Sequence, residues 1–238
     1  MLTLSKVNTY YGESHILHDI SLNIHAGGVV ALLGRNGVGK TTTLRTIIGL
    51  TPSRSGDIIF KGQDISRIKP FQIAREGIGF VPEERWIFPS LTVHQNLLIG
   101  MKVAKKVSLE DQGMRWTPER CYEAFPALKE RQFAKGRTLS GGEQQMLTIA
   151  RTLMGNPDLI LVDEPTEGLA PLIVEKVANI IRQINKEGLT VLLVEQKLPV
   201  ALELADRIYV MSKGLIQWEG TPKELEESAE VRRSFLQV

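Results

Sequence analysis

The sequence has almost no cysteine, no long apolar run and little net charge, and each shortage excludes a class of protein. Cys121 is the only cysteine, so no disulfide can form within the chain. No apolar run approaches the ~18 residues that span a bilayer, and residues 1–6 lack the pattern of a secretion signal. A formal net charge of +2 gives no indication of a nucleic-acid-binding face. We expect a soluble cytoplasmic chain that binds no nucleic acid and meets a membrane only through a partner.

The composition otherwise fits a folded protein with a substantial core. Of the 238 residues, 42% are hydrophobic and 24% are charged, which is typical of globular domains. The one basic run, residues 102–106, is interpreted as a solvated loop or helix face.

Strand and helix signals divide the chain into three parts. Residues 2–7, 20–24 and 57–60 predict strands in a partly antiparallel front portion. From Thr92 to about Gly155 helix starts dominate, among them a capping box at Thr92. Strands then alternate with helices up to residue 211, which indicates a parallel sheet with helical crossovers.

A glycine-rich segment matches the phosphate-loop pattern G-x-x-x-x-G-K-[ST] at every fixed position. An apolar strand signal precedes it and a helix signal follows it, which argues against a chance glycine-rich turn. In such a loop the N–H groups surround phosphate oxygens, Lys40 reaches the β and γ phosphates, and the Thr41 hydroxyl can ligate Mg²⁺. The predicted nucleotide-binding residues are Gly34, Arg35, Asn36, Gly37, Val38, Gly39, Lys40, Thr41 and Thr42.

A second apolar strand, residues 159–162, ends in Asp163 and Glu164. Burying a carboxylate at a strand tip is costly unless a cation meets it, and Mg²⁺ on a nucleotide is such a cation. We therefore predict that Asp163 binds Mg²⁺ through water and that Glu164 polarises the attacking water. A solvated acidic turn is the alternative.

A second anion site is predicted where residues 139–145 read Leu-Ser-Gly-Gly-Glu-Gln-Gln. Ser140 and Glu143 form a capping box, so a helix begins here, and the two glycines expose its first N–H groups. One nucleotide does not need two such sites in one chain. We expect a two-fold dimer in which this segment of one chain caps the nucleotide of the other. The residues predicted to contact the nucleotide here are Ser140, Gly141, Gly142 and Glu143.

These three motifs, in this order and spacing, resemble the ATP-binding subunit of an ABC transporter over nearly the whole chain. Residues 81–83, 164–171 and 193–196 are similar to the branched-chain amino-acid importer subgroup, which includes related urea and amide systems. The resemblance implies an α/β fold: a P-loop NTPase core with a mainly parallel sheet, an N-terminal antiparallel β subdomain and an inserted α-helical subdomain. Its expected division is 1–83 with 156–238 for the core and 84–155 for the helical part.

The resemblance also assigns roles to single residues. It implies that Tyr11 stacks on adenine, because Tyr11 is the aromatic residue before Gly12, although neighbouring Tyr10 is an alternative. It implies ATP and Mg²⁺ as cofactors. The implied catalytic residues are Glu164, Gln196 and Lys40, and the implied metal ligands are Thr41, Glu83 and Asp163.

Three positions depart from the general family pattern. Glu83 stands where a glutamine usually contacts Mg²⁺ and the lytic water, Gln196 where a histidine usually meets the γ-phosphate, and Ala170 where an aspartate usually follows the acidic strand. Glu83 could ligate Mg²⁺ directly. Gln196 can donate an amide hydrogen bond but cannot carry a proton at neutral pH. We therefore expect Glu164 to activate water and Gln196 only to position the γ-phosphate.

The implied partners are a second ATPase subunit, identical or paralogous, transmembrane permease subunits and, indirectly, a solute-binding protein. Such a subunit is peripheral on the inner face of the cell membrane. Residues 84–100 are the expected docking surface, with Trp86, Phe88 and Leu91 as apolar contacts, although burial in the chain's own core is an alternative.

Two other functions are disfavoured. A repair-type ABC ATPase needs a long coiled coil and a translation type needs two motif sets, and the sequence has neither. A small-molecule kinase would leave the Leu-Ser-Gly-Gly-Glu segment without a role. The sequence therefore predicts an ATP-hydrolysing, energy-coupling subunit of an importer for branched-chain amino acids, with urea, amides or other amino acids as alternative solutes.

Overall fold

The computed structural model describes residues 1–101 and 115–236, and the basic run 102–106 lies outside them. In chain order the strands of the described part are β1 (Leu2–Tyr11), β2 (Ser14–Ile24), β3 (Val29–Leu33), β4 (Ser55–Phe60), β5 (Gln63–Asp64), β6 (Ile78–Val81), β7 (Leu159–Asp163), β8 (Thr190–Glu195), β9 (Arg207–Ser212) and β10 (Leu215–Gly220).

The α-helices of the same ranges are α1 (Lys40–Ile47), α2 (Pro70–Glu76), α3 (Val93–Gly100), α4 (Pro118–Ala124), α5 (Pro126–Glu130), α6 (Gly141–Leu153), α7 (Pro171–Lys186), α8 (Leu198–Leu204), α9 (Pro222–Glu227) and α10 (Ala229–Val231). A 3₁₀ turn covers Gly136–Thr138 and a π-helical turn covers Arg232–Leu236.

The strands form two sheets in the described residues. The first is antiparallel with the order β2-β1-β4-β5. The second has the order β10-β9-β3-β8-β7-β6, in which neighbours from β9 to β6 are parallel and β10 is antiparallel to β9. This arrangement confirms the predicted α/β fold with a mainly parallel sheet and an antiparallel N-terminal sheet.

The parallel sheet is covered on both faces. Every residue of β3, β7 and β8 is buried, as expected for central strands of a parallel sheet. Val30 and Leu32 pack in a core shared with the antiparallel sheet, whereas the alternate residues of β3 face a core shared with α6 and α7. The mixed sheet therefore lies between two hydrophobic cores.

The helical segment between β6 and β7 contributes to one of these cores. Trp116, Phe125 and Leu147 pack in the same cluster as Ile160 of β7. The helix starts predicted at Thr92 and Ser140 are confirmed, and α4 begins in the same way at Thr117, since each side chain accepts a hydrogen bond from the backbone N–H three residues later. The division into residues 84–155 and a surrounding core remains a prediction.

Helix and strand ends bring the predicted motifs to one edge. In a parallel sheet the carboxyl ends of neighbouring strands lie side by side. The segments that follow β3, β8, β7 and β6 therefore meet at this edge. They carry the phosphate loop, Gln196, Glu164 and Glu83, respectively. Among the described residues no helix is both long and apolar enough to cross a bilayer.

Candidate active site

A cleft of about 420 Å³ opens at this edge of the parallel sheet. Residues of the phosphate loop, of β1 and β2, and of the acidic segments after β6 and β7 line this cleft. Its lining consists of Tyr11, Ile16, Asn36, Gly37, Gly39, Lys40, Thr41, Thr42, Glu83, Glu164 and Glu167.

Two glycines of the loop are required by its backbone path. Gly39 has φ +111° at the N-cap of α1, a left-handed conformation that L-residues with side chains rarely adopt. A Cβ on Gly34 would overlap the carbonyl oxygen of Met211 in β9. The loop can therefore turn tightly into α1 because it has no side chain at these two positions.

The Lys40 ammonium is buried within the loop. It donates to the carbonyl oxygens of Gly34 and Arg35 at 2.9 and 3.0 Å, and it forms an ion pair with Glu164 Oε1 at 3.0 Å. An ammonium group has three N–H donors. These three acceptors account for all of them, so Lys40 must release one to bind a phosphate oxygen.

Thr41 and Asp163 meet behind the cleft. The Thr41 hydroxyl donates to Asp163 Oδ1 at 3.2 Å. Burial raises the pKa of the Asp163 carboxyl to about 6, the hydrogen bond from Thr41 acts in the opposite direction, and the charges of Glu164 and Glu83 add to the increase. A divalent cation at this position would favour the ionised carboxylate.

Glu83 and Glu164 approach the cleft from neighbouring strands. Burial and then the charge of Glu164 raise the pKa of Glu83. Glu164 has φ +41°, which is uncommon for a residue with a side chain, and its N–H donates to the Val194 carbonyl oxygen at 3.0 Å. Strained backbone of this kind is concentrated at functional sites. The geometry agrees with a chemical role for the Glu164 carboxylate.

The oxygen donors at this edge are suitable for a hard cation. Thr41, Asp163 and Glu83 offer a hydroxyl and two carboxylates, which are ligand types that Mg²⁺ prefers. In residues 1–101 and 115–236 no group of three or more His, Cys, Asp or Glu side chains is arranged to hold a metal ion. A metal here would therefore need further ligands such as phosphate oxygens and water.

The two candidate adenine-stacking residues have different surroundings. Tyr11 lines the cleft and is 44% exposed. Tyr10 is stacked on His15 at a centroid distance of 4.1 Å, and the Arg54 guanidinium lies 3.9 Å from its ring centroid. Of the two rings, Tyr11 is the one that lines the cleft beside the phosphate loop.

The predicted second anion site lies outside the lining of this cleft. Ser140 N–H donates to the Glu143 carboxylate at 2.7 Å, and Glu143 N–H donates to the Ser140 hydroxyl at 3.3 Å. These bonds form the predicted capping box and begin α6. A Cβ on Gly141 would lie 2.6 Å from a guanidinium nitrogen of Arg85, so Arg85 packs against this helix start.

Gln196 is exposed and, within the described part of the chain, is not among the residues that line the cleft. Its predicted contact with a γ-phosphate therefore remains a prediction. Gly34 and Arg35 contribute carbonyl acceptors to Lys40, and Val38 packs against the core shared with the antiparallel sheet.

Sequence reasoning missed four residues around this site. Ile16 of β2 and Glu167 line the cleft, and Glu195 and Lys197 form hydrogen bonds with Thr166 beside it. Ile16 lies on β2, and the alternation of apolar and polar residues predicted this strand only from residue 20. Glu195 had a signal that could have been used, because it is a carboxylate that directly follows the apolar run 191–194, as Asp163 follows 159–162.

The phosphate loop, its buried lysine and the acidic strand end define a phosphate-loop nucleotide hydrolase, and comparison with known proteins gives the family. The sequence model of the ABC transporter family matches residues 17–167, and the chain belongs to this family. It is the ATP-hydrolysing subunit of a transporter.

Three relatives indicate how the family members vary. The chain is 43% identical over 236 residues to the high-affinity branched-chain amino acid transport ATP-binding protein BraG of Pseudomonas aeruginosa, and the match covers 99% of both chains. It is 35% identical to the lipopolysaccharide export system ATP-binding protein LptB of Escherichia coli, which covers 99% of this chain and 96% of LptB.

The third relative is a solved structure, the dimeric post-hydrolysis state of the ATP-binding cassette MJ0796 bound to ADP and Pi. It is 29% identical, has a TM-score of 0.79, and the match covers 93% of this chain and 99% of that one.

Proposed function

We propose that the chain supplies energy to an importer of branched-chain amino acids. The observation that supports this most is the 43% identity to BraG over 99% of both chains, compared with 35% to the export protein LptB. The sequence similarities at residues 81–83, 164–171 and 193–196 support the same subgroup. The chain would act with permease subunits on the inner face of the cell membrane and, through them, with a solute-binding protein.

ATP would bind with its phosphates in the loop 34–42 and its adenine on Tyr11. Stacking of a base on an aromatic ring contributes roughly 1 to 3 kcal/mol. The γ-phosphate would take the place of Glu164 on the Lys40 ammonium, because all three donors of that group already have acceptors. Binding of ATP would therefore release the Glu164 carboxylate.

The released carboxylate would act as the general base. Glu164 would accept a proton from the attacking water, and Gln196 would donate an amide hydrogen bond to the γ-phosphate. Thr41, Asp163 and Glu83 would hold Mg²⁺, which neutralises charge on the β and γ phosphates. The proton would therefore end on the Glu164 carboxylate and not on Gln196.

The signature segment would act in the partner's site. Ser140 to Glu143 begin α6 outside the cleft of their own chain, which is what a two-fold arrangement needs. Each γ-phosphate would then lie between the Lys40 loop of one chain and the α6 start of a second ATPase subunit, identical or paralogous. Closure of the dimer would depend on ATP and opening on hydrolysis.

Residues 84–100 would contact the permeases. Trp86 and Phe88 are 51% and 45% exposed, whereas Leu91 is half-buried. The buried Asn96 amide bonds to both backbone groups of Phe88 and to the Thr92 carbonyl, at 2.8 to 3.0 Å. This side chain fixes the segment that carries the two exposed rings, so a permease would meet a preformed surface.

The test is transport in proteoliposomes that contain this chain and the permease subunits that co-purify with it. With ATP inside and the solute-binding protein outside, we expect labelled leucine, isoleucine and valine to accumulate. The Lys40→Met variant should not support accumulation, while the exposed-lysine variant Lys61→Met should behave as wild type. Uptake of urea or an amide in place of these amino acids would assign a different solute, and ATP-dependent release from the vesicles would overturn the import direction.

A further inference from the structure

A buried hydrogen-bond cluster joins the segments that follow β7 and β8. We define it as the Thr166–Glu195–Lys197 cluster. The Thr166 hydroxyl donates to Glu195 Oε1 at 2.8 Å, and the Lys197 ammonium donates to the Thr166 carbonyl oxygen at 2.7 Å. Thr166 is fully buried and Glu195 is 2% exposed. Both bonds connect the same two segments, so neither segment can shift independently of the other.

Glu195 is well supplied with donors for a buried carboxylate. Besides Thr166, it accepts the backbone N–H of Gln196 at 3.1 Å and that of Lys197 at 3.3 Å. Burial raises its pKa, and the hydrogen bonds from Thr166 and the two N–H groups act in the opposite direction. An unpaired buried carboxylate would be strongly unfavourable. The number of donors indicates that the local backbone is shaped around this side chain.

The cluster surrounds one proposed catalytic residue and is next to another. Gln196 lies between Glu195 and Lys197, and both neighbours bond to Thr166, which is two residues after Glu164. Glu164 N–H also donates to Val194 O in β8. The proposed base and the proposed phosphate-positioning residue are thus connected across adjacent strands by three hydrogen bonds within a few residues.

We infer that the Thr166–Glu195–Lys197 cluster positions Gln196 relative to Glu164 during ATP hydrolysis. None of its three members lines the cleft, so they are positioning residues and not catalytic ones. The inference rests on the proposed roles of Glu164 and Gln196. Loosening the cluster should lower kcat, because a general base and its substrate must be held in place for proton transfer. The phosphate loop is not part of the cluster, so ATP affinity should be unchanged.

The chain provides a matched control for Thr166 on strand β8. Thr190 is equally buried, and its hydroxyl accepts the Gly27 N–H at 3.0 Å, but it lies at the opposite end of β8 from Glu195. Thr166→Val and Thr190→Val remove the same hydroxyl from sites of equal burial. We expect both variants to lose folding stability, whereas only Thr166→Val should disturb the position of Gln196.

The experiment measures kcat and KM for MgATP in the transporter complex that contains this chain, and it measures the Kd of ATP and the thermal midpoint in the purified chain. For Thr166→Val we expect kcat to fall at least tenfold with the Kd within twofold of wild type, and Thr166→Ser to restore kcat to within threefold. For Thr190→Val we expect kcat within twofold of wild type. Wild-type kcat in Thr166→Val, or an equal decrease in both valine variants, would overturn the inference.

Two further variants separate this inference from the proposed roles on which it rests. Lys197→Met breaks the second bond to Thr166, and its effect on kcat should not add to that of Thr166→Val, because residues of one network are coupled. If the double variant showed the sum of the two separate losses in kcat, the three residues would not act as one cluster. Glu164→Gln tests the proposed base by itself. Wild-type kcat in Glu164→Gln would refute the proposed role of Glu164. A strongly reduced kcat in Glu164→Gln together with wild-type kcat in Thr166→Val would refute only the positioning role of the cluster.

Discussion

The Lys40 ammonium lies 3.0 Å from the Glu164 carboxylate, and both groups are buried. The residue that should bind phosphate thus pairs with the residue that should activate water. Because the other two donors of Lys40 bond to backbone carbonyls, the ion pair is the contact that a γ-phosphate would most readily replace. In the proposed mechanism, ATP binding therefore also releases the base, and Glu164 stays paired with Lys40 until ATP is bound.

The Glu164→Gln variant should separate binding from turnover. We expect kcat for ATP hydrolysis to fall on the order of 10² to 10⁴, because the amide cannot accept a proton. ATP affinity should be equal or higher, since a neutral amide competes less with phosphate for Lys40. Steady-state ATPase assays and calorimetric titration would measure both. Glu219→Gln, which changes an exposed pair with Arg207, should leave both at wild-type values.

The Lys40→Met variant should lose nucleotide affinity. Methionine fills similar space without the ammonium, so no cation faces the phosphates and the buried Glu164 carboxylate has no partner. We expect the Kd of ATP to increase at least 100-fold in a fluorescence titration. Lys61→Met removes an ion pair with Asp158 at the surface and serves as the control. Equal affinity of wild type and Lys40→Met would contradict the placement of the phosphates.

The Asp163 carboxyl should make the protein without nucleotide less stable as pH rises. Its pKa is raised from 3.8 to about 6, so the folded state binds a proton more tightly than the unfolded state. The stabilisation is present below pH 4 and is lost as pH rises through 6, an effect on the order of 3 kcal/mol. Relative to wild type, Asp163→Asn should gain stability between pH 4.5 and 7.5 in urea denaturation. Parallel stability curves for the two proteins would refute this.

The exposed rings at the start of the helical segment should matter for assembly and not for folding. Trp86→Ala and Phe88→Ala remove half-exposed side chains, so the free energy of unfolding should change by about 1 kcal/mol or less. Co-purification with the permeases should decrease severalfold. Leu215→Ala, at a comparably exposed site in β10, is the control. Undiminished co-purification of both ring variants would place the permease contact elsewhere.

Cys121 should be inert until the protein unfolds. It is fully buried, and burial raises the pKa of its thiol to about 12. A thiol reagent such as DTNB at pH 8 should label the native chain very slowly and the urea-unfolded chain once per molecule. Rapid labelling of native protein would show that the core around α4 opens readily.

The sequence contained most of the local structure of this site but not its long-range contacts. The phosphate loop and the capping boxes at Thr92 and Ser140 were predictable because each depends on residues a few positions apart. β1 and β2 are longer than predicted, since register shifts between Leu4 and Tyr10 interrupt the period-two alternation.

Contacts between distant segments needed the fold. Nothing in the local sequence pairs Lys40 with Glu164, or Thr166 with Glu195, because these pairs depend on the order β3-β8-β7 in the sheet. The sequence predicted that the sheet would be mainly parallel, but it did not predict which strands would be neighbours. Glu167 and Ile16 were missed in the same way, since one follows β7 and the other lies on β2 of the antiparallel sheet, far apart in the sequence.

The left-handed backbone at Glu164 has a consequence for how this protein can change. Asparagine and glycine adopt φ +41° more easily than glutamate does, by on the order of 1 kcal/mol. Replacing Glu164 would relieve this strain, but it would also leave the buried Lys40 ammonium without its ion-pair partner, which costs more, about 3 to 5 kcal/mol. Variants made to raise the thermal stability of this protein should therefore keep glutamate at position 164 and carry their substitutions elsewhere.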